Sequence, residues 1–70
     1  MHFKRLKELR DKYEYTQDFI ATYLKINRVV YGRYENGTRE IPISYLIKLS
    51  ELYNVSIDYI VENKKTSNAR

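Results

Sequence analysis

Asn27-Arg28-Val29-Val30-Tyr31-Gly32-Arg33-Tyr34-Glu35-Asn36-Gly37 opens on a residue suited to capping a helix and closes on a turn dipeptide. Asn27 offers a short acceptor to the free amides of a helix start, so the pattern predicts a helix from Arg28 to about Glu35. Asn36-Gly37 supplies a left-handed stop. Val29-Val30-Tyr31 has strand-like composition, but it is too short and lies between a cap and a helix-ending Asn-Gly. Within the helix, positions 28, 29, 32 and 33 share one flank because helical neighbours recur at three and four residues, while Tyr31 and Tyr34 turn elsewhere. That flank carries two arginines, a valine and a glycine. Glycine inside a helix costs about 0.5–1 kcal/mol relative to alanine, which leaves two readings of Gly32: close approach of another body, or a tolerated surface glycine.

Upstream, Thr16 can cap a second short helix whose buried stripe is Ile20, Ala21 and Leu24, and Lys25-Ile26 forms the tight turn into Asn27. Before it, Leu6, Leu9 and Tyr13 recur at helical spacing among charged residues, giving a first helix from about 2 to 13 that Glu14 and Tyr15 interrupt. Downstream, Thr38 to Ile41 make a loop. Pro42 suits the first position of a fourth helix, whose inner face is Ile43, Leu46, Leu49, Ser50 and Tyr53 and whose stop is Asn54. Ser56 caps a fifth helix, with Asp58 in its first turn and Ile57, Ile60 and Val61 inward. The chain is therefore all-α: a compact five-helix domain over 1–62, followed by a polar, patternless tail at 63–70 that reads as disordered.

At 70 residues the chain is one small domain, and such a domain buries only about 60% of the surface its unfolded form exposes. Without cysteine there is neither a disulfide staple nor a thiolate metal site, and a reducing compartment is the simpler expectation. Lys plus Arg outnumber Asp plus Glu by 13 to 9, for a net charge of +4, a balance that suits an anionic partner and nucleic acid best. No apolar run approaches the roughly 18 residues of a membrane span, and the N-terminus lacks a signal-peptide core, so the reading is soluble and cytoplasmic.

Catalysis lacks parts. One histidine, no cysteine and two glycines cannot build a triad, a histidine metal cluster or a phosphate-cradling loop, and the carboxylates are spaced as solvated helix pairs. No catalytic residue, metal site or cofactor is expected. His2 reads as a frayed terminal side chain.

Two short helices joined by a tight turn, with small Ala21 in the first and a cap opening the second, describe a helix-turn-helix, although any small helical bundle contains such pairs. The residues go further. Thr16-Gln17-Asp18-Phe19-Ile20-Ala21-Thr22-Tyr23-Leu24, then 27–37, then Ile47-Lys48-Leu49-Ser50-Glu51-Leu52-Tyr53-Asn54-Val55-Ser56-Ile57-Asp58-Tyr59-Ile60 resemble the Cro/XRE class of bacterial and phage transcriptional regulators. That class carries T-Q-x-x-[LI]-A, a capped recognition helix ending in [YW]-E-N-G, then L-x-K-[IL]-[AS] and V-S-x-D. The match runs over about residues 3 to 62.

The resemblance implies a lambda-repressor-like fold and double-stranded DNA as partner. It assigns base reading to Arg28, Val29, Gly32 and Arg33, where arginine pairs with guanine and valine touches a thymine methyl. Backbone contacts fall to Gln17 at the start of helix two, to Asn27, and to Asn36, Thr38 and Arg39 after the recognition helix. Arg10 and Glu35 match a structural ion pair. It further implies a homodimer on an inverted repeat, formed in solution or only on DNA, with the dimer contact expected at Tyr59, Ile60 and Val61. No small-molecule effector and no membrane partner is implied, and repression is the expected mode.

Lys25 departs from the pattern, standing where many members carry glycine and adding roughly 1 kcal/mol of strain if the turn is left-handed. Phe19 is often polar in the class. With Tyr23, Tyr45 and Tyr59 it raises a rival function, a protein-interaction module of antitoxin or anti-repressor type, against the reading of these aromatics as half-buried packing.

Overall fold

The computed structural model describes residues 2–62, and the tail expected at 63–70 lies outside them. Five helices follow one another: α1 (Lys4–Lys12), α2 (Gln17–Leu24), α3 (Arg28–Asn36), α4 (Ile43–Tyr53) and α5 (Ile57–Val61). Helices this short are not stable alone, so each depends on the stripe it buries. Leu6 and Leu9 of α1, Ile20, Ala21 and Leu24 of α2, Tyr31 and Tyr34 of α3, Leu46, Leu49 and Tyr53 of α4, and Ile60 of α5 meet in one core. α2 packs on α3, while α5 closes the domain against α1 and α4.

The expected caps form. Thr16 Oγ1 accepts from Phe19 N at 3.0 Å, Asn27 Oδ1 from Val29 N at 2.7 Å, and Ser56 Oγ from Tyr59 N at 3.0 Å. Pro42 is the cap of α4 rather than its first residue, with extended ψ of 149° and its carbonyl accepting from Leu46 N. α1 begins at Lys4 and ends at Lys12, inside the expected 2–13, and α3 runs one residue past Glu35 to Asn36.

Left-handed residues stop four helices: Glu14 (φ 59°), Lys25 (φ 62°), Asn54 (φ 57°) and Gly37 (φ 83°). After α1, α2 and α4 the same hydrogen bond closes the end, with Tyr15 N donating to Arg10 O, Ile26 N to Ala21 O and Val55 N to Ser50 O. Asn54 adopts this conformation cheaply. Glu14 and Lys25 do not, because their Cβ crowds the following carbonyl.

Several inner-face expectations are corrected. Ile43 is 62% exposed, because the first turn of α4 overhangs the core, and Ile41 from the loop is buried instead. Ser50 is half-buried and spends its hydroxyl on Ile47 O at 2.8 Å. Tyr13 caps α1 from outside the buried stripe, and Ile57 and Val61 are only half-buried. His2, exposed ahead of α1, lies against Gly37: a Cβ added there would stand 2.8 Å from His2 Cβ, so glycine there serves both the left-handed turn and this close approach.

Lys25→Gly is expected to raise stability by about 0.5–1 kcal/mol, the relieved strain less the unfolded-state entropy glycine adds. A denaturant midpoint that stays put or falls would show that Lys25 carries no strain.

Candidate nucleic-acid interface

The turn at Lys25 sets α3 across α2, and the same periodicity that buries Tyr31, Tyr34 and Glu35 turns the opposite flank outward. Arg28 and Arg33 are exposed, Val29 is 50% exposed and Gly32 is half-buried, so all four residues expected to read bases share one surface. Neither arginine pairs with a carboxylate among the described residues. Residues 28 and 33 stand about 7.5 Å apart along the axis, close to the rise of two base pairs.

The expected backbone contacts gather at the two ends of this flank. Asn27 is exposed and commits Oδ1 to its cap, leaving its amide nitrogen outward. Asn36 is the last residue of α3, not a loop residue, and its Oδ1 accepts from Thr38 N at 2.9 Å. Arg39 N donates to Arg33 O at 3.1 Å, which folds the loop beneath the helix end and leaves Asn36, Thr38 and Arg39 exposed together. Gln17 opens α2 half-buried, and its Nε2 donates to Glu35 Oε1 at 3.0 Å. Asp18, also in that first turn, suits the helix dipole but opposes a phosphate there.

Arg10 Nε and Nη2 reach Glu35 Oε2 and Oε1 at 2.8 and 3.0 Å, a two-pronged pair with the carboxylate 4% exposed and the guanidinium 13%. Arg10 Nη1 also donates to Tyr15 O at 3.0 Å, so one side chain fixes α3 and the segment leading into α2. Burial pushes the Glu35 carboxyl up, but the hydrogen bonds from Arg10 and Gln17 outweigh it and hold the group below its ordinary 4.5. Burial, then the charge of Glu35, pushes the Tyr31 and Tyr53 hydroxyls well up. The Tyr31 hydroxyl faces the Glu35 carboxylate without full hydrogen-bond geometry, and the Tyr53 hydroxyl has no hydrogen-bond partner among the described residues.

At the expected dimer surface, Tyr59 is 42% exposed and Val61 half-buried, but Ile60 is fully enclosed in the domain's own core and offers no surface to a second chain. Arg5 lies 4.0 Å over the Tyr59 ring and donates to Tyr59 O at 2.7 Å, tying α5 to α1. Phe19 and Tyr23 are exposed and Tyr45 is half-buried. The Phe19 ring packs tilted against Tyr15, centroids 4.5 Å apart, and Tyr23 Oη donates to Lys48 O. Among the described residues no group of three or more His, Asp or Glu could hold a metal ion.

Five helices around one core, with α2 and α3 set as a helix-turn-helix, define a lambda-repressor-like domain. The helix-turn-helix family matches residues 6–60, and the chain belongs to that family, in its Cro/XRE type. Over 64 residues it is 44% identical to the HTH-type transcriptional regulator ImmR of Bacillus subtilis (strain 168), covering 91% of this chain and 50% of that protein. Over 62 residues it is 39% identical to the SPbeta prophage-derived uncharacterized HTH-type transcriptional regulator YonR of the same organism, covering 89% and 57%. Over 61 residues it is 36% identical to the uncharacterized HTH-type transcriptional regulator YobD, also of that organism, covering 87% and 54%. The chain thus spans about half the length of these curated relatives. No solved structure matches it.

Because Glu35 titrates lower in the folded chain than unfolded, its contribution is complete above 4.5 and is lost as pH falls through the folded value. Denaturant midpoints should therefore decline below that pH, and Glu35→Gln should flatten the decline. Arg10→Ala should cost about 3 kcal/mol at neutral pH by stranding a buried charge. A cost under about 1 kcal/mol would mean the pair is solvated like a surface bridge.

Proposed function

We propose that this chain is the DNA-binding unit of a sequence-specific transcriptional regulator, acting in the cytoplasm as a repressor on an inverted-repeat operator. The observation that carries this reading is the outward flank of α3, where Arg28 and Arg33 stand exposed beside Val29, without carboxylate partners, on a helix held by the Arg10–Glu35 pair. Each arginine can form two parallel bonds to guanine O6 and N7, worth about 1–3 kcal/mol of discrimination. Gln17, Asn27, Asn36, Thr38 and Arg39 fix the register through the sugar-phosphate backbone. The reading needs no cofactor, metal or effector, and no helix among the described residues is long and apolar enough to cross a membrane.

Selection from a random duplex pool at near-physiological salt tests this. The wild type should enrich an inverted repeat with half-sites about one helical turn apart, and Arg28→Ala with Arg33→Ala, still fully helical, should lose that enrichment. A folded wild type that binds all duplexes alike, or none, would defeat the regulator reading. Exposed Phe19 and Tyr23 then support the alternative, an interaction module of antitoxin or anti-repressor type.

A homodimer through Tyr59 and Val61, in solution or assembled on the operator, completes the proposal. Tyr59→Glu should give a folded monomer in sedimentation, since Arg5 lies beside the new charge, and should weaken binding to the full repeat more than to a half-site. Undiminished preference for the repeat would move the dimer contact elsewhere.

A further inference from the structure

Gln17 opens α2, yet its side chain turns across to α3 and donates from Nε2 to Glu35 Oε1 at 3.0 Å. A carboxylate only accepts, so its charge admits the nitrogen end of the amide and rejects the oxygen end. That decides the flip. Oε1 becomes the Gln17 atom nearest the point where a side chain at Gly32 would begin, 3.5 Å from it against 3.9 Å for Nε2. Gly32 lies on the flank with Arg28, Val29 and Arg33, and without a side chain it leaves the half-buried amide uncovered from that side. Glu35 is itself held from two directions by Arg10, at 2.8 and 3.0 Å.

The flank needs what this amide supplies. Arginine donates and never accepts, and valine offers only apolar contact, so the four residues of α3 recognise guanine and thymine but have no side-chain acceptor for a base amino group. We infer that Glu35 is a positioning residue for DNA recognition, locking the Gln17 amide so that its carbonyl oxygen serves the Gly32 flank as acceptor for an exocyclic base amino group, adenine N6 or cytosine N4. The inference rests on the DNA-binding reading above. The second Nε2 hydrogen stays available to a phosphate, so the backbone contact and the base contact are compatible.

Two measurements test it. In NMR spectra of the free protein, one Gln17 side-chain amide proton should be shifted downfield and slow to exchange, and Glu35→Gln, which keeps an acceptor but removes its charge, should move that proton upfield and speed its exchange. Wild-type signals like those of an exposed glutamine overturn the inference without reference to DNA. On the duplex selected by the wild type, Glu35→Gln should weaken binding about tenfold. Arg10→Lys, which loosens the ion pair but keeps the Gln17–Glu35 bond, should weaken it by less than about threefold. In a Gln17→Met background Glu35→Gln should have no further effect. Gln17→Met alone, which leaves the ion pair whole and decides the matter should Glu35→Gln not fold, should erase an adenine or cytosine preference at one half-site position and spare the guanine positions. Equal losses from the Arg10 and Glu35 variants, an undiminished Glu35 effect without Gln17, or an unchanged preference in Gln17→Met each reduce Glu35 to a structural role. A wild type that selects no duplex defeats the DNA reading itself, with this inference following from it.

Discussion

One buried carboxylate organises the first half of this domain. Taking a carboxylate out of water costs several kcal/mol unless its oxygens are paired, and Glu35 sits 4% exposed on the inner flank of α3. Its partners come from two other helices: Arg10 from α1 and Gln17 from the first position of α2. Apolar contacts tolerate sliding by fractions of an ångström, but three hydrogen bonds to two oxygens do not. The orientation of the recognition flank therefore depends on a polar constraint, while Leu6, Ile20, Tyr31 and Leu49 supply the bulk of the burial.

Chain reversal is handled by a second, local device. Helices of 5 to 11 residues must stop within a turn of where their buried stripe ends. Four left-handed residues do this, and in three cases the amide of the next residue closes back onto the helix. Asn54 and Gly37 are inexpensive choices. Glu14 and Lys25 are not, and the strain at Lys25 sits inside the turn that sets α3 against α2, so the geometry of the motif is held by its surroundings and not by turn propensity.

What was legible in the sequence divides along the same line. Caps at Thr16, Asn27 and Ser56, the stops at Gly37 and Asn54, the stripe of α2, and the buried Leu46, Leu49, Tyr53 and Ile60 of α4 and α5 follow from spacing and side-chain chemistry within one or two turns, and each lies where those rules put it. The outward flank of α3, with Arg28, Val29 and Arg33 exposed, was readable for the same reason. Ile43 and Ile41 exchanged roles because periodicity cannot say how far a first turn overhangs a core. The contact of His2 with Gly37, and above all that of Gln17 with Glu35, joins residues 18 or more positions apart on different elements, and nothing in local pattern encodes them. Resemblance supplied the Arg10–Glu35 pair, while Ile60 was expected both inward and at the dimer contact, and the packing of α5 on α1 and α4 decides for the core.

Gly32 shows how the constraint and the proposed function meet. Its backbone is ordinary helix, and an added Cβ would touch the Gln17 amide at 3.5 Å, a normal contact distance. Nothing within the domain therefore requires glycine, unlike Gly37, where both a φ of 83° and His2 exclude a side chain. Glycine in a helix interior still costs about 0.5–1 kcal/mol relative to alanine, and no packing gain inside the chain offsets it. Under the DNA-binding reading the offset lies outside the chain: position 32 sits between the two arginines and over an amide whose orientation is already set. A bare backbone there allows a base edge to approach both.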